Sequence, residues 1–249
     1  MRNKTHQRVI WLCGASSGIG LELARRLLNE DCRLIVSSRD PARLQSFAGD
    51  AYLLKCDVQN SGDWHNCYRE IAAKFGRLDT FLYNAGDCEY IDVHNFHSDV
   101  FERIVDVNFL GLVRATGSVL PLLRKGNSPH IIGVGSSVDY LPLSRAEAYG
   151  ASKAAMSYFL ESLRVDLAPE KIDVSIVKPG FVKTPLTDKN DFPMPFIISA
   201  EEASLRIMKG VRKRSREINF PRRFTWLIRL FGLFPPTLRF FIARRFVKS

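Results

Sequence analysis

Tyr149 and Lys153 are the residues of this chain whose types and spacing most directly suggest chemistry. They lie four positions apart in a stretch with a helical pattern, so a helix would place both side chains on one face. A phenol has a pKa of about 10, and a neighbouring ammonium favours the phenolate and lowers that pKa. The pair is therefore a candidate acid–base couple near neutral pH. The alternative is a solvated helix face, where the same spacing is common.

A glycine-rich turn near the N terminus predicts a phosphate-binding site. The apolar run Val9–Leu12 has the composition of a buried parallel strand. It leads into the turn Gly14–Gly20, with Gly-x-x-x-Gly-x-Gly spacing, and an amphipathic segment follows over Leu21–Leu28. Such a turn lets the backbone approach a pyrophosphate, which the N–H groups of the following helix can bind. The alternative is a tight turn that only joins two packed elements.

Strand and helix patterns alternate along most of the chain, which predicts an α/β fold with a doubly wound parallel sheet. We expect strands near residues 8–13, 33–37, 51–56, 79–83, 129–135, 172–178 and 217–220, and helices around 18–29, 62–75, 98–123 and 148–168. Ligands bind such sheets beyond the carboxyl ends of the strands. The glycine turn, Asn84, Ser136 and Pro179 all follow predicted strand ends.

These motifs, in this order and spacing, resemble the short-chain dehydrogenases/reductases in their compact single-domain branch. The resemblance runs from about Arg8 to Pro221. It is carried by Gly14, Gly18 and Gly20, then Asn84-Ala85-Gly86, Asn108, Ser136, Tyr149, Lys153, Pro179-Gly180 and Thr184. It implies a Rossmann fold and an oxidoreductase that acts on CH–OH or C=O groups with a nicotinamide cofactor. Cys13 and Tyr83 depart from the family, which usually has Thr and Asn there.

The resemblance implies four catalytic residues, Asn108, Ser136, Tyr149 and Lys153. Ser136 would bind the substrate oxygen and Tyr149 would exchange its proton. Lys153 would hold the nicotinamide ribose and lower the tyrosine pKa, and Asn108 would hold a water that relays protons to solvent. Ser137 is the second candidate for the serine, but thirteen positions separate Ser136 from Tyr149, as in the family.

The residues after the second predicted strand favour NADP(H). NAD sites commonly place an acid there, whereas Ser38 and Arg39 offer a hydroxyl and a guanidinium that suit a 2′-phosphate. A solvated surface arginine is the alternative. Asp57 and Val58 would bind the adenine by resemblance. The full expected cofactor set is Gly14, Ser16, Ser17, Gly18, Ile19, Gly20, Ser38, Arg39, Asp57, Val58, Asn84, Ala85, Gly86, Tyr149, Lys153, Pro179, Gly180, Val182 and Thr184.

The basic charge of the chain is concentrated at its C-terminal end. The 249 residues carry a net charge of +10, and residues 209–249 contain twelve Lys or Arg and one acid, Glu217. We therefore divide the chain into a catalytic domain over residues 1–220 and a basic amphipathic tail over 221–249. Two helical segments, 223–233 and 237–246, are separated by Pro235-Pro236. The first has an apolar stripe of Phe224, Leu227, Ile228 and Phe231.

Three functions compete for this tail. Arg229 and Arg239 interrupt its apolar runs, so a transmembrane span is not expected. Basic, aromatic, amphipathic helices are typical of an interfacial membrane anchor, which we favour. The alternatives are packing on the enzyme core or on a second subunit, and single-strand nucleic-acid binding, which the apolar clustering disfavours. We expect a cytoplasmic protein with peripheral contact on the inner or cytosolic membrane face. The family that the chain resembles often forms homodimers through helices that match residues 98–123 and 148–168, and the sequence leaves the oligomeric state open.

No metal site is expected, because the five cysteines and five histidines lack zinc-ligand spacing. The apolar loop 187–199 and the tail suggest a hydrophobic substrate such as a steroid-like ketone, an acyl ketone or a long-chain aldehyde. The sequence thus predicts an NADPH-dependent carbonyl reductase. A non-catalytic NADP(H) sensor or scaffold on the same fold is the alternative, and the intact proton-relay residues argue against it. An epimerase or dehydratase of the larger related branch is disfavoured by the glycine spacing and the short chain.

Overall fold

The alternating pattern folds into a parallel sheet with helices on both faces, as predicted. The computed structural model describes residues 7–244. The strands are β1 (Arg8–Cys13), β2 (Cys32–Ser38), β3 (Tyr52–Lys55), β4 (Thr80–Tyr83), β5 (His130–Val134), β6 (Asp173–Pro179), β7 (Val182–Lys183), β8 (Ile198–Ser199) and β9 (Glu217–Phe220). The helices are α1 (Gly18–Leu27), α2 (Ser61–Phe75), α3 (Ser98–Val105), α4 (Gly111–Leu123), α5 (Glu147–Leu167), α6 (Ala200–Arg212), α7 (Arg222–Gly232) and α8 (Pro236–Arg244).

Seven strands form the main sheet in the order β3-β2-β1-β4-β5-β6-β9, and all neighbours are parallel. The strand order changes direction between β1 and β4, and this is the point at which doubly wound sheets bind ligands. A second, two-stranded sheet pairs β7 with β8 and joins Val182 to Ile198. We therefore expect the ligand site at the carboxyl edge of the sheet, near the ends of β1 and β4.

The two faces of the sheet build two separate apolar cores. Alternate residues of a strand point to opposite faces, so Trp11 of β1 enters one core while its neighbour Leu12 enters the other. Trp11 packs with Trp64 and Phe81 at ring-centroid distances of 5.4 and 5.1 Å beneath α2 and α4. The second core lies beneath α1 and α6. Because both faces are covered, the strands are apolar along nearly their whole length.

The helix expected over residues 98–123 is interrupted. A π-helical turn, Asp106–Leu110, separates α3 from α4. Tyr83, which departs from the family pattern, supports it by donating a hydrogen bond to the Val107 carbonyl. A Cβ on Gly111 would lie 2.3 Å from the Tyr83 hydroxyl oxygen, so glycine makes room for the phenol. Among residues 7–244, the helical stretch Ser98–Leu123 is the one with the length and composition of a membrane span, and α4 packs in the core.

Helix α6 was not among the predicted helices. The Ser199 hydroxyl caps it by accepting a hydrogen bond from the Glu202 N–H at 3.0 Å. A Ser-x-x-Glu sequence is a helix-start signal, so this spacing could have identified it. Ala203 and Ile207 are fully buried against the sheet.

The tail packs on the protein with one face of α7. Phe224 and Ile228 are buried in a small apolar cluster with Leu141, as the alternative of packing on the enzyme core predicts. Of the predicted apolar stripe, Phe224 and Ile228 face this cluster, whereas Leu227 is 46% exposed. Helix α8 is described up to Arg244, so the end of the predicted segment 237–246 lies outside the described residues. The domain division at residue 220 stays a prediction.

A buried histidine should make stability depend on pH. His130 is 2% exposed, and its Nε2 lies 2.7 Å from the Ser175 hydroxyl oxygen. Burial, and then the Arg214 guanidinium, lower its pKa from 6.5 to about 4. The unfolded chain therefore binds a proton that the folded chain excludes, and the free energy of unfolding should fall as pH drops from about 6.5 to about 4. The full effect is of order 3 kcal/mol.

Urea denaturation followed by circular dichroism at several pH values measures this slope. His130→Gln keeps a polar group but cannot take up the proton, so its stability should change less over that window. An equally steep loss in the variant would contradict the assignment.

Candidate active site

A cleft of about 620 Å³ opens at the carboxyl edge of the sheet. The predicted residues that line it are Gly14, Ser16, Ser17, Gly18, Ile19, Ser38, Arg39, Asp57, Val58, Asn84, Ala85, Gly86, Ser136, Tyr149, Lys153, Pro179, Gly180, Val182 and Thr184. Gly20 and Asn108 are buried beside the cleft rather than lining it. The fold thus brings together residues that lie up to 170 positions apart (Gly14 and Thr184).

The glycine turn has the backbone geometry of an anion-binding loop. Gly14 and Gly18 have φ angles of 87° and 53°, in the region that favours glycine. Helix α1 begins at Gly18, its first turn contains no acid, and the Ser17 side chain makes no capping bond. The first N–H groups of α1 therefore remain available to an anion.

Gly20 is required by a close backbone contact. A Cβ at this position would lie 2.0 Å from the Gly14 carbonyl oxygen and 2.5 Å from Nδ2 of Asn84. The Asn84 amide donates a hydrogen bond to that same carbonyl at 2.8 Å. Asn84 therefore fixes the shape of the turn, and Gly20 leaves space for it.

Two cations flank the end of β2. Arg39 lines the cleft as predicted, and Arg43, from the 3₁₀ turn Pro41–Phe47, joins it. Both are exposed, and within residues 7–244 neither forms an ion pair. The carboxylate of Asp40 accepts a hydrogen bond from the Ala42 N–H at 3.0 Å and caps the turn instead. Sequence reasoning missed Arg43, although its four-residue spacing from Arg39 was a usable signal.

Asp57 and Val58 form the floor of the cleft after β3. One carboxylate oxygen of Asp57 accepts the Gln59 N–H at 3.1 Å, which orients the side chain. Val58 is 8% exposed and lines the same region. Gln59 also lines the cleft and was not predicted. Its amide donates to Asp106 at 3.0 Å, which ties this wall to the π-helical turn.

Tyr149 and Lys153 lie on one face of α5, as their spacing predicts. The Lys153 ammonium lies 5.7 Å from the centre of the Tyr149 ring and donates a hydrogen bond to the Val134 carbonyl at 3.0 Å. Burial lowers the pKa of Lys153 to about 8. Burial, and then Cys88, raise the pKa of Tyr149 above its ordinary value, while the Ser136 hydroxyl opposes this.

The expectation that Lys153 lowers the pKa of Tyr149 is therefore wrong for the protein without a bound cofactor. The ammonium donates to a backbone carbonyl, and the largest cause of the raised Tyr149 pKa is the loss of water around the phenol. Tyr149 is a neutral phenol at pH 7, which is the form that can donate a proton to a carbonyl oxygen.

Ser136, rather than Ser137, reaches the cleft. Ser136 lines it beside Tyr149, and its hydroxyl accepts a hydrogen bond from the Val138 N–H at 3.2 Å. Ser137 is 4% exposed and begins the 3₁₀ turn Ser137–Tyr140 behind the cleft wall. The geometry favours the serine chosen from the spacing.

Asn108 lies in the π-helical turn and is fully buried. Its amide donates to the Asp87 carbonyl and to the Ser152 hydroxyl, each at 2.9 Å, and its oxygen accepts the Asp87 N–H at 2.8 Å. A Cβ on Gly86 would lie 3.2 Å from that oxygen and 3.5 Å from the Lys153 nitrogen. Both amide hydrogens are used within the protein, so only oxygen acceptors remain for a water relay.

A cluster of aromatic side chains lies next to Gly180, which lines the cleft. Phe181 packs against Phe192 of the 187–199 loop at 6.0 Å and against Phe224 of α7 at 5.4 Å. Tyr90 contacts Phe192 at 5.5 Å from the other side. A Cβ on Gly180 would lie 2.7 Å from the Phe224 ring, so the tail helix abuts the Pro179–Gly180 segment. The Pro179–Gly180 segment of the cleft is therefore bordered by aromatic side chains.

Other cleft residues left little signal in the sequence. Asp87 directly follows the Asn-Ala-Gly motif, whereas Leu186 and Lys189 lie in an irregular loop with no periodic pattern. Lys189 adds a cation near the catalytic end. Leu186 and Lys189 can be identified as cleft residues only from the folded structure.

The site fits a nicotinamide adenine dinucleotide. The left-handed glycines and the free helix N-terminus suit a pyrophosphate, and Asp57 keeps one oxygen free of backbone bonds for an adenine amino group. A Cβ on Gly18 would lie 3.0 Å from the Thr184 methyl group, so the two walls meet over the centre of the cleft.

Comparison with known proteins agrees with this geometry. A family model described as short chain dehydrogenase matches residues 8–193. An uncharacterized oxidoreductase of Myxococcus xanthus is 32% identical over 245 residues, which cover 96% of this chain and 97% of the relative. The 11-beta-hydroxysteroid dehydrogenase-like 2 protein of Arabidopsis thaliana is 29% identical, covering 96% of this chain and 82% of its own.

Solved structures share the fold. A short chain dehydrogenase from Burkholderia cenocepacia in complex with NADP superposes with a TM-score of 0.84 at 20% identity, covering 99% of this chain and 100% of its own. One from Burkholderia phymatum in complex with NAD gives 0.81 at 18% identity, covering 92% and 94%. At these identities the likeness establishes architecture alone.

Proposed function

Because the chain belongs to the short-chain dehydrogenase family and is an oxidoreductase of alcohol or carbonyl groups, we propose that it reduces a hydrophobic carbonyl compound with NADPH. The observation that carries this proposal is that Ser136, Tyr149 and Lys153 line the same cleft as the glycine turn. The reverse reaction, alcohol oxidation, would use the same groups.

When bound, the dinucleotide supplies the hydride for the carbonyl carbon. Ser136 donates a hydrogen bond to the carbonyl oxygen, where negative charge develops. Tyr149 holds its proton because burial raises its pKa, and it gives that proton to the same oxygen. Lys153 binds the nicotinamide ribose. Asn108 positions the Asp87 backbone and, through an oxygen, holds the relay water.

A preference for NADPH is supported by two cations at the end of β2 that form no ion pair with any residue of the described range 7–244. Arg39 and Arg43 line the cleft together with Ser38, and we assign the 2′-phosphate to these residues. Asp40, the nearest carboxylate along the chain, caps the following turn. Arginine binds phosphate with a charged fork of donors, so these residues provide the contacts that a 2′-hydroxyl alone would not need.

A hydrophobic substrate is supported by the aromatic cluster that borders the cleft next to Gly180. Phe181, Phe192 and Tyr90 pack together there, which favours an apolar carbonyl compound. Relatives named 11-beta-hydroxysteroid dehydrogenase-like are consistent with this class. We propose a steroid-like ketone, an acyl ketone or a long-chain aldehyde. The sensor or scaffold alternative is not favoured, because the proton-transfer residues are intact and the relatives are oxidoreductases.

We propose in addition that the tail makes peripheral contact with an anionic membrane. We define the tail face as the exposed apolar side chains of α7, of Leu233 directly after it, and of α8: Trp226, Leu227, Leu230, Leu233, Leu238, Phe240 and Phe241, each 45% to 77% exposed. Arg222 and Arg229 lie along one side of the Trp226 row of α7, and Arg223 lies on the other. Apolar side chains bordered by arginines suit a bilayer with anionic headgroups.

A homodimer is also proposed. Exposed apolar side chains lie on the helices expected to pair: Leu110 at the end of the π-helical turn, Val113 in α4, and Tyr158 and Val165 on α5. These positions lie on other elements than the tail face, so a dimer would leave that face open.

Substitutions at the acid–base site test the chemistry. Tyr149→Phe should lower NADPH-dependent turnover of apolar aldehydes and ketones by about a hundredfold to ten-thousandfold, because the proton donor is lost. Ser136→Ala should lower it by about a hundredfold, and Ser137→Ala, whose hydroxyl faces away from the cleft, by no more than a few fold. NADPH binding, followed by fluorescence, should persist in all three. Normal turnover in Tyr149→Phe would refute the proposed chemistry.

Charge removal at the end of β2 tests the cofactor preference. Arg39→Ala and Arg43→Ala should each weaken NADPH binding about tenfold, while NADH binding stays unchanged, because only NADPH carries the 2′-phosphate. Isothermal titration measures both constants. Arg124→Ala, at an exposed ion pair with Glu170, is the matched control. Equal loss of NADPH and NADH affinity would show that the arginines do not read the phosphate.

Intrinsic fluorescence tests the membrane contact. Trp11 and Trp64 are 0% and 1% exposed, whereas Trp226 is 66% exposed, so a spectral shift on binding would come from Trp226. We expect a blue shift and co-sedimentation with equimolar phosphatidylcholine–phosphatidylglycerol vesicles, and much less with phosphatidylcholine alone. Leu230→Ser should weaken sedimentation, and Leu205→Ser, equally exposed on α6, should not. An unchanged spectrum and no sedimentation would refute the contact.

A further inference from the structure

A buried ion pair lies behind the catalytic serine. Asp139 in the turn Ser137–Tyr140 is 4% exposed, and Lys178 at the end of β6 is 6% exposed. Their charged atoms are 3.0 Å apart, and the Ser157 hydroxyl donates to the same carboxylate oxygen. Asp139 therefore holds a lysine from the sheet and a serine from α5 at once.

The partners of Asp139 lie next to other parts of the site. Lys178 directly precedes the Pro179–Gly180 segment of the cleft. Ser157 lies one helical turn after Lys153, on the face of α5 that carries Tyr149. Asp139 thus links the serine turn, the acid–base helix and the nicotinamide-side segment, three elements whose relative positions set the reaction geometry.

Helix α7 touches the opposite side of the same turn. A Cβ on Gly232 would lie 2.1 Å from the Tyr140 carbonyl oxygen, so the two backbones are in direct contact. The Arg229 guanidinium lies 5.8 Å from the centre of the Tyr140 ring, and the Lys178 ammonium 4.6 Å. Arg229 also pairs with Glu217 at 3.2 Å, and Glu217 lies 3.7 Å from Lys178.

Stability alone does not account for this pair. Replacing a buried ion pair by apolar residues of similar volume is often neutral or stabilising. The second oxygen of Asp139 is buried without a hydrogen-bond partner among residues 7–244. Burying a carboxylate oxygen without a hydrogen-bond partner costs free energy. Because Asp139 lies at the junction of three site elements, we infer that its role is to hold those elements in position.

We propose that α7 and the Asp139–Lys178 pair are positioning elements that fix the Ser137–Tyr140 turn and thereby aim the Ser136 hydroxyl at the substrate oxygen. This inference rests on the proposed function, because it uses the role given there to Ser136. It adds that α7 affects the reaction indirectly, by holding the Ser137–Tyr140 turn, and does not touch the reacting atoms.

Two glycine substitutions of the same kind test the helix contact. Gly232→Ala places a methyl group against the Tyr140 carbonyl, whereas Gly117→Ala on α4 places one in open space. We expect Gly232→Ala to lower kcat about tenfold to a hundredfold, because small misplacements of catalytic groups cost this much. Its Kd for NADPH should stay within about twofold, since no cofactor residue moves directly. Gly117→Ala should match the natural chain in both.

Asp139→Asn tests the ion pair with a side chain of the same shape. It should lower kcat by a similar factor while one NADPH still binds per chain, which shows that the protein is folded. The double variant Asp139→Asn with Lys178→Met removes both buried charges and should recover the melting temperature but not kcat. Recovery of kcat together with the melting temperature would overturn the proposal, because a purely structural pair behaves that way.

The remaining outcomes separate this inference from the proposed function. Normal kcat in Gly232→Ala and Asp139→Asn, with Ser136→Ala and Tyr149→Phe inactive, would overturn the positioning role and leave the function intact. Full activity of Ser136→Ala and Tyr149→Phe would overturn both. If Gly232→Ala does not bind NADPH, the Asp139 variants decide the question alone.

Discussion

The site depends on the contact between the backbone after β1 and the backbone after β4. Gly14 has no side chain because Ala85 N would lie 2.5 Å from its Cβ, and the Asn84 amide closes the contact through the Gly14 carbonyl. From this point, hydrogen bonds run from Asp87 to Asn108, from Asn108 to Ser152, and from the Ser152 hydroxyl to the Tyr149 carbonyl at 2.7 Å. One connected set of polar groups therefore joins the phosphate turn to the acid–base helix.

Burial shifts the pKa values of Tyr149 and Lys153 in opposite directions, and in both cases it favours the neutral form. It raises the pKa of Tyr149 and lowers the pKa of Lys153 to about 8, because it disfavours whichever form is charged. The phenol therefore keeps its proton at neutral pH, and the ammonium lies close to its titration range. The two pKa values are therefore pushed apart, so the phenol is the group that keeps its proton and the lysine is the group that can lose one near neutral pH.

Local signals explain what the sequence could predict. Each predicted strand is present with ends within one residue, because both faces of a parallel sheet are buried and every strand is an apolar run. The motif residues converge because they lie at strand ends. By contrast, the pKa of Tyr149 depends on burial, which spacing does not report. The π-helical turn before Gly111 depends on a phenol from β4, and the face of α7 that is buried depends on where Leu141 and Phe181 lie.

The short β7–β8 pair has a consequence for how such a site can change. The pairing of β7 with β8, with Val182 beside Ile198, holds the two ends of the 184–197 segment close together. The entropic cost of closing a loop rises slowly with length, by only about 0.6 kcal/mol for each doubling. Insertions between these strands are therefore inexpensive to accommodate. The wall over the substrate can vary in length and composition during evolution, while Pro179–Gly180 before it and α6 after it keep their places.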